Sequence, residues 1–525
     1  MAAYTYPGVY IEEISSGQHT ITGVATSIAA FIGWSNQGPV GAPIMVESWP
    51  QYQAIFGGMI PGNYLGYAVY QFFLNGGSQA YIVRLVWTDA VNASNDIVGL
   101  QLYASSPGAW ANSLNVVVSN VNTTKHTFNL QVTKVNGAQA QTLESYTNLS
   151  SLSTSPQFAV TVINSDSSYI TFTPPGGTAP TSITLPSGST PAATPTTPAG
   201  TTLNGGTSPS TGYDGTQLIP SNSDTGGDFE TQLSGVDGYQ LLSNIPIFNL
   251  LCVPGETSTS VLGNLEQFCN QNRAFLIIDS PQTSASVLTA VSALSNGPVD
   301  SSSTSLTSGQ YTSNSAFYFP WVLAPDPQVG YRPALFPPCG FVAGIYASTD
   351  ASRGVWKAPA GIHASLTGAL GLQYVLTDMQ NGALNEVGVN CLRQFHTYGD
   401  VVWGARTMAG ADAAGSDWKY IPIRRLALFI ESSLYEGTQW AVFEPNAEPL
   451  WGQVRMSIGS FMQGLFLQGA FAGITPHQAY FVKCDRDNNP DSSVSMGILN
   501  ITVGFAPLYP AEFVVIEIQQ MINRS

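Results

Sequence analysis

The chain has 525 residues, 16 basic and 32 acidic, so charged side chains make up only 9% of it and the formal net charge is −16. A soluble domain ordinarily carries about 25% charged residues, and with 44% apolar residues the composition supplies large cores but a surface suited to partners more than to water. The acidic balance argues against nucleic acid as the main ligand and against a polybasic membrane anchor, since both need clustered Lys and Arg.

Length predicts three or four domains at about 150 residues each. The N-terminus has no basic region followed by an apolar core, so no secretory signal is read. The longest apolar stretch, Ile21 to Trp34, is interrupted by Gly, Thr and Ser and falls short of the ~20 residues a bilayer needs. A soluble product made in the cytoplasm is expected. The five cysteines, Cys252, Cys269, Cys339, Cys391 and Cys484, are far apart without a CxxC and read as buried free thiols.

In chain order, YTYPGVYIEEI opens with a strand over Val9 to Ile14, and SSGQHTITG follows as a loop. Ala29 to Trp34 is an apolar run. In Tyr64 to Leu74, Leu65, Val69, Phe72 and Phe73 keep helical spacing before the stop Asn75-Gly76-Gly77. Ala80 to Val86 reads as a buried strand. From about 101 to 235, four alternating runs predict a small β-sandwich or barrel: Val116 to Val121, Thr127 to Val135, Phe158 to Ile163 and Tyr169 to Thr173. Between Thr173 and Tyr213 there is no charge, only a Pro, Gly, Ser and Thr-rich tract that cannot offset its ordering entropy and reads as a surface loop. No Lys or Arg occurs from Val135 to Asn272, where nine acidic residues do, the pattern of an exposed outer face.

Residues 236 to 395 alternate strand (Ile245 to Val253), helix (Val261 to Gln271), strand (Ala274 to Asp279), helix (Ala285 to Leu294) and strand (Ala316 to Leu323). Near-continuous apolar strands in this order predict an α/β fold with a parallel sheet covered on both faces. After 396, Arg424 to Glu431 is helix-compatible. Leu450, Val454, Ile458, Phe461 and Leu465 form one stripe between Pro449 and Gly469, and Ala511 to Gln519 alternates as a terminal strand.

Catalysis has parts but no arrangement. Asp279, His363, His396 and many serines would suit a hydrolase on a parallel sheet, yet no GxSxG elbow constrains a nucleophile. The histidines His19, His126, His363, His396 and His477 stand alone. CDRDNNPD (Cys484 to Asp491) lacks the closing Glu of a calcium loop and reads as a solvated turn. No phosphate-binding loop is present. No catalytic residue, metal ligand or cofactor is assigned. What stands out is strand-like segments at both chain ends of a sparsely charged body, able to close the chain's own sheet or to add to a sheet edge of another copy.

PGVYIEEISSG, ITGVATSIAAFIGWSNQGP and AVYQFFLNGGSQAYIVRL, then WKAPAG, LNEVGVNCLRQF, VVWGARTM, WKYIPIRRLALFIESSLYEGTQWAVFEPN and PAEFVVIEI, resemble contractile-tail sheath proteins of phages and phage-like injection particles. The blocks cover residues 4 to 90 and about 236 to 520; the 101 to 235 module matches none of them. The resemblance implies a sheath core with a subtilisin-like, non-catalytic α/β domain, an inserted β-rich domain and exchanged terminal strands. The implied division is a 1–20 arm, the 21–100 first part of the core, a 101–235 outer insert, a 236–395 α/β domain, a 396–510 C-terminal core and a 511–525 arm.

It further implies a subunit of stacked hexameric rings that contract around an inner tube, with baseplate and tail-terminator proteins as partners and neither nucleic acid nor membrane insertion. Assembly is expected in the bacterial cytoplasm, within a phage tail or extracellular particle. Strand exchange maps to Val9, Tyr10, Ile11 and Ile14 and to Phe513, Val514, Val515, Ile516 and Ile518; Ser15 to Gly23 and Gly504 to Pro510 are candidate hinges. Candidate tube contacts are Arg424, Arg425 and Arg455. An α/β hydrolase and a surface adhesin or receptor-binding module are the alternatives.

Overall fold

The computed structural model describes residues 19–136, 139–189, 201–202, 217–221, 227–295 and 311–515. Two packed units divide the chain: Ser27–Ser348 with Pro359–Ser416, and Met1–Thr26 with Thr349–Ala358 and Asp417–Ser525.

The larger unit begins with β1 (Ala29–Trp34), β2 (Ile44–Val46), α1 (Trp49–Phe56), α2 (Leu65–Leu74) and β3 (Ala80–Leu85). Every residue of β1 is buried, as expected of a strand covered on both faces. An insertion follows: β4 (Ser94–Ile97), β5 (Leu100–Ala104), β6 (Leu114–Asn122), β7 (Thr127–Asn136), β8 (Gln139–Ser150), α3 (Ala159–Asp166), β9 (Ile170–Thr171) and β10 (Thr201–Thr202). Its antiparallel sheets, ordered β4-β5-β9 and β10-β6-β7-β8, bury Leu102, Val116, Phe128, Leu130, Val132 and Phe172 in one core.

Phe158 to Ile163, expected as a strand, is largely helical. Alternation would bury Phe158, Val160 and Val162 together, but packing buries Phe158, Ala159, Val160 and Ile163 and leaves Val162 part-exposed, a pattern that suits a helix. The Asn164 side chain, accepting from Phe172 N at 2.8 Å, ties this helix to the segment after it. Here tertiary context overrides β propensity.

The chain then re-enters the main sheet through α4 (Asp228–Ser234), β11 (Leu250–Cys252), α5 (Thr259–Gln271), β12 (Phe275–Asp279), α6 (Val287–Leu294) and β13 (Ser315–Phe319). The strand expected from Ala316 to Leu323 is two strands. Pro320 cannot donate a ladder bond, and β14 (Val322–Asp326) joins β15 (Arg332–Phe336) and β16 (Gly371–Leu372) in a separate sheet. The Ile245 to Val253 strand likewise shortens to β11. Helices α7 (Cys339–Arg353) and α8 (Asp378–Glu386) precede β17 (Val389–Phe395) and the edge strand β18 (Gly399–Val402).

The eight-stranded order is β18-β17-β13-β12-β11-β1-β3-β2. Its six central strands are parallel, and β2 and β18 are antiparallel edges. One face packs on α4, α5, α6 and α8 through Phe229, Leu233, Leu262, Leu265, Leu294 and Leu384. On the other, Phe31 meets Phe72 of α2 edge-on with ring centroids 5.4 Å apart, and the Tyr318 and Tyr346 hydroxyls share a 2.7 Å hydrogen bond. Helix α7 crosses α2 closely at Gly340, where a Cβ would lie 2.4 Å from the Ala68 carbonyl oxygen. All five cysteines are buried free thiols.

The smaller unit contains α9 (Ile421–Gly437), α10 (Glu448–Leu467), α11 (Pro476–Ala479), β19 (Tyr480–Lys483), α12 (Asp491–Ser495) and β20 (Thr502–Phe505). Its core takes in the whole Leu450, Val454, Ile458, Phe461 and Leu465 stripe of α10, with Ile21, Leu426 and Ile430. Pro449 sits in the first turn of α10, where its missing N–H costs nothing. Gly469 (φ +78°) turns the chain just beyond the helix end.

Candidate assembly surface

Of the residues that would serve a hydrolase, Asp279 has a structural role. Asp279, at the end of β12, accepts from Gly255 N at 3.0 Å and Cys339 N at 2.7 Å. Burial raises its carboxyl to about 6. It fastens the turn after β11 and the start of α7 near the point where strand order reverses between β1 and β11, the place where open α/β sheets usually bind ligands. Trp321 donates to the Ser280 carbonyl at 2.6 Å, and Tyr64 packs edge-on against that indole. His363 and His396 are exposed. CDRDNNPD forms a turn held by its own amides: Asn488 Nδ2 donates to Lys483 O at 2.9 Å and Asn500 N to Asn489 Oδ1 at 2.6 Å.

The three candidate arginines lie in the smaller unit in different settings. Arg425 is buried, pairing with both oxygens of Asp350 at 2.9 and 2.6 Å and donating to Thr26 O at 2.8 Å. Arg424 is also buried, paired with Glu431 at 3.2 Å and stacked over Trp418; desolvation lowers its pKa, partly offset by Glu431. Arg455 on α10 is more open, with Glu448 at 2.7 Å and the Cys484 carbonyl as partners. The stacked neighbours of α9 thus spend their charge within the chain, while Arg455 stays partly in solvent.

Sequence reading passed over a two-stranded sheet in the smaller unit. Strands β19 and β20 pair with each other from Tyr480↔Phe505 to Lys483↔Thr502, and among the described residues no third strand joins them. Such a pair presents unpaired N–H and C=O rows on its outer edges. The Phe481 ring lies over Gly504, so close that a Cβ there would be 2.2 Å from it. Alternating aromatic and β-branched residues in YFVK and ITVGF were the available signal.

After β20 the chain runs alongside Phe471 and Ala472, with Ala472 N donating to Ala506 O at 2.9 Å. It is then pinned where Tyr420 donates to Glu512 at 3.0 Å. Phe513, Val514 and Val515 follow at 74%, 78% and 83% exposure. The strand expected over Ala511 to Gln519 is not formed within 511–515, where no ladder pairing occurs among the described residues. Ile516 and Ile518 lie outside the described residues, as do Val9, Tyr10, Ile11 and Ile14.

The phage tail sheath protein central domain model matches residues 244–408, and the phage tail sheath C-terminal domain model matches 413–521. The chain belongs to the phage tail sheath family. Its 244–408 match covers β11 to β18, and the 413–521 match covers the β19–β20 pair and its helices. The tail sheath protein of Vibrio phage KVP40 is 25% identical over 179 residues, 34% of this chain and 25% of that protein. A putative prophage major tail sheath protein of Pseudomonas aeruginosa is 24% identical over 182 residues, 34% of this chain and 44% of that one. The matches therefore span less than half the length of either relative. The sheath of PVC, an extracellular contractile injection system, in its contracted state has the same fold, with a TM-score of 0.57, 22% identity and all of both chains covered.

Proposed function

We propose that this chain is the structural subunit of a contractile sheath. It polymerises as stacked hexameric rings around an inner tube and contracts to drive that tube through a target envelope. The observation that carries the proposal is the open β19–β20 pair on the same unit as the exposed Phe513–Val515 run, an acceptor edge and a donor segment on one chain. A segment that adds to a sheet edge of a neighbour satisfies its backbone there, and repetition of that contact gives an open lattice. Val9, Tyr10, Ile11 and Ile14 would supply a second donor strand and Phe513 to Ile518 the first.

Work in such a device comes from two-state packing and not from bond chemistry. An extended lattice held by a kinetic barrier is released by the baseplate, and subunits rotate as rigid bodies about arms that stay paired. Ser15 to Gly23 and Gly504 to Pro510 are the proposed joints. Arg455 is the proposed tube contact, with Arg424 and Arg425 shaping the same unit through Glu431 and Asp350. Tube, baseplate and tail-terminator proteins are the partners, no cofactor is required, and assembly takes place in the bacterial cytoplasm.

Negative-stain electron microscopy of the purified chain tests this. Rings or striated tubes are expected, and loss of both on deleting Met1 to Ser15. A uniform population of small discrete particles from the intact chain would overturn the proposal.

A further inference from the structure

Two aromatic side chains stand in solvent on left-handed backbone. Tyr331 (φ +59°) closes the turn between β14 and β15, and its exposed ring has the half-exposed Val329 close by in sequence. Arg332 beside it is exposed. It faces Asp326 across the ladder, but that carboxylate accepts from the Tyr67 hydroxyl at 2.6 Å and from Gln328 N at 2.8 Å. No ion pair is formed by Arg332 among the described residues.

The second is Phe443 (φ +69°), fully exposed in the turn that follows α9, with Val442 and Tyr435 also exposed. Glu436 and Glu444 flank these aromatics in sequence, both exposed and neither in an ion pair among the described residues. The loop is firmly built: Asn446 donates to the Ile498 carbonyl at 3.0 Å, Trp451 donates to Asn446 at 2.8 Å, and His19 stacks on Trp440 at 3.9 Å.

A bulky residue at positive φ is disfavoured by its own Cβ, and an exposed ring gains nothing from burial to offset that. One tip carries an uncompensated cation and the other carries carboxylates, so each has on this same chain a partner of complementary charge, with guanidinium-over-ring contact available as well. We infer that the Tyr331–Arg332 tip of one copy docks on the Tyr435, Phe443 and Glu444 surface of a neighbouring copy. The two surfaces differ, so the contact is head-to-tail and propagates. This inference rests on the polymeric reading above.

Mixing a Tyr331→Cys chain with a Phe443→Cys chain tests it, because all five native thiols are buried. On mild oxidation a covalent pair is expected from the mixture at more than tenfold the yield of either variant alone. Arg332→Glu in the first chain should lower that yield, and Glu436→Arg with Glu444→Arg in the second should restore it. Circular dichroism checks each variant's fold, and Val329→Cys with Val442→Cys replaces a pair that misfolds. Tubes without the mixed cross-link overturn this inference alone; an intact chain that forms no tubes overturns the polymeric reading and this inference with it.

Discussion

Arg425 and Asp350, 75 positions apart, form an ion pair at 2.6 Å with both side chains only 3% exposed. Asp350 lies near the end of α7 and Arg425 near the start of α9, so the pair fastens the Thr349–Ala358 segment to the helical core of the smaller unit. Removing one partner strands a buried charge at about 3–5 kcal/mol. Arg425→Met should therefore lower stability to urea by about that amount, and Asp350→Leu in the same chain should recover most of it. A single substitution within about 0.5 kcal/mol of the native chain would mean that water reaches the pair.

Glu266 on α5 is buried and accepts from the Ser315 hydroxyl. Desolvation raises its carboxyl from 4.5 to about 7, partly offset by Ser315. On the same helix, burial pushes the Cys269 thiol well up, and the neighbouring Glu266 adds to that rise. A folded-state value above the unfolded one stabilises the fold at low pH, fully below about 4.5, and that stability is lost as pH rises through 7. The loss is on the order of 3 kcal/mol. Glu266→Gln should be more stable than the native chain at pH 8, and the advantage should vanish near pH 4.5. Urea midpoints at both pH values measure it.

Gly340→Val puts a branched side chain where even a Cβ would lie 2.4 Å from the Ala68 carbonyl oxygen. Helices α7 and α2 must then separate, at about 1–3 kcal/mol or more. Thermal melting should show the loss, whereas Gly263→Ala on α5, where a Cβ meets nothing within 4 Å, should melt as the native chain does or slightly higher.

Phe513→Asp with Val515→Asp replaces two exposed apolar side chains at no expected cost to the isolated chain, since surface changes are usually within about 0.5 kcal/mol. Tube formation should be abolished, with unchanged melting of the dispersed protein. Tubes of normal length from this variant would remove 511–518 from the donor strands.

Local signals carried much of the larger unit and the long helix of the smaller one. Continuous apolar runs marked β1, β3 and β12 because the sheet is covered on both faces, and the 3.6-residue stripe marked α10 from cap to stop. Two failures share a cause. The helix over Ala159–Asp166 and the long edge strand β8 depend on what packs alongside them, which their local sequence does not encode, whereas the break at Pro320 was legible in the proline itself. β8 reads QAQTLESYTNLS, a mostly polar run whose pairing comes from β7. In the candidate surface, Arg424 and Arg425 looked like free charge because their depth and the Asp350 partner are invisible at the level of neighbouring residues. The tips at Tyr331 and Phe443 were missed because no composition rule assigns φ to an aromatic.

The smaller unit draws on chain segments far apart: His19 N donates to the Ser457 hydroxyl and Val24 N to the Ser433 hydroxyl, across 438 and 409 residues. Ribosomal synthesis delivers those partners in sequence, so Ile21 to Thr26 wait for most of the chain before they can settle. The β19–β20 edges therefore come into being last. On the strand-exchange reading proposed above, a nascent chain would have no β19–β20 edge to offer a neighbour, and the order of translation itself would delay polymerisation.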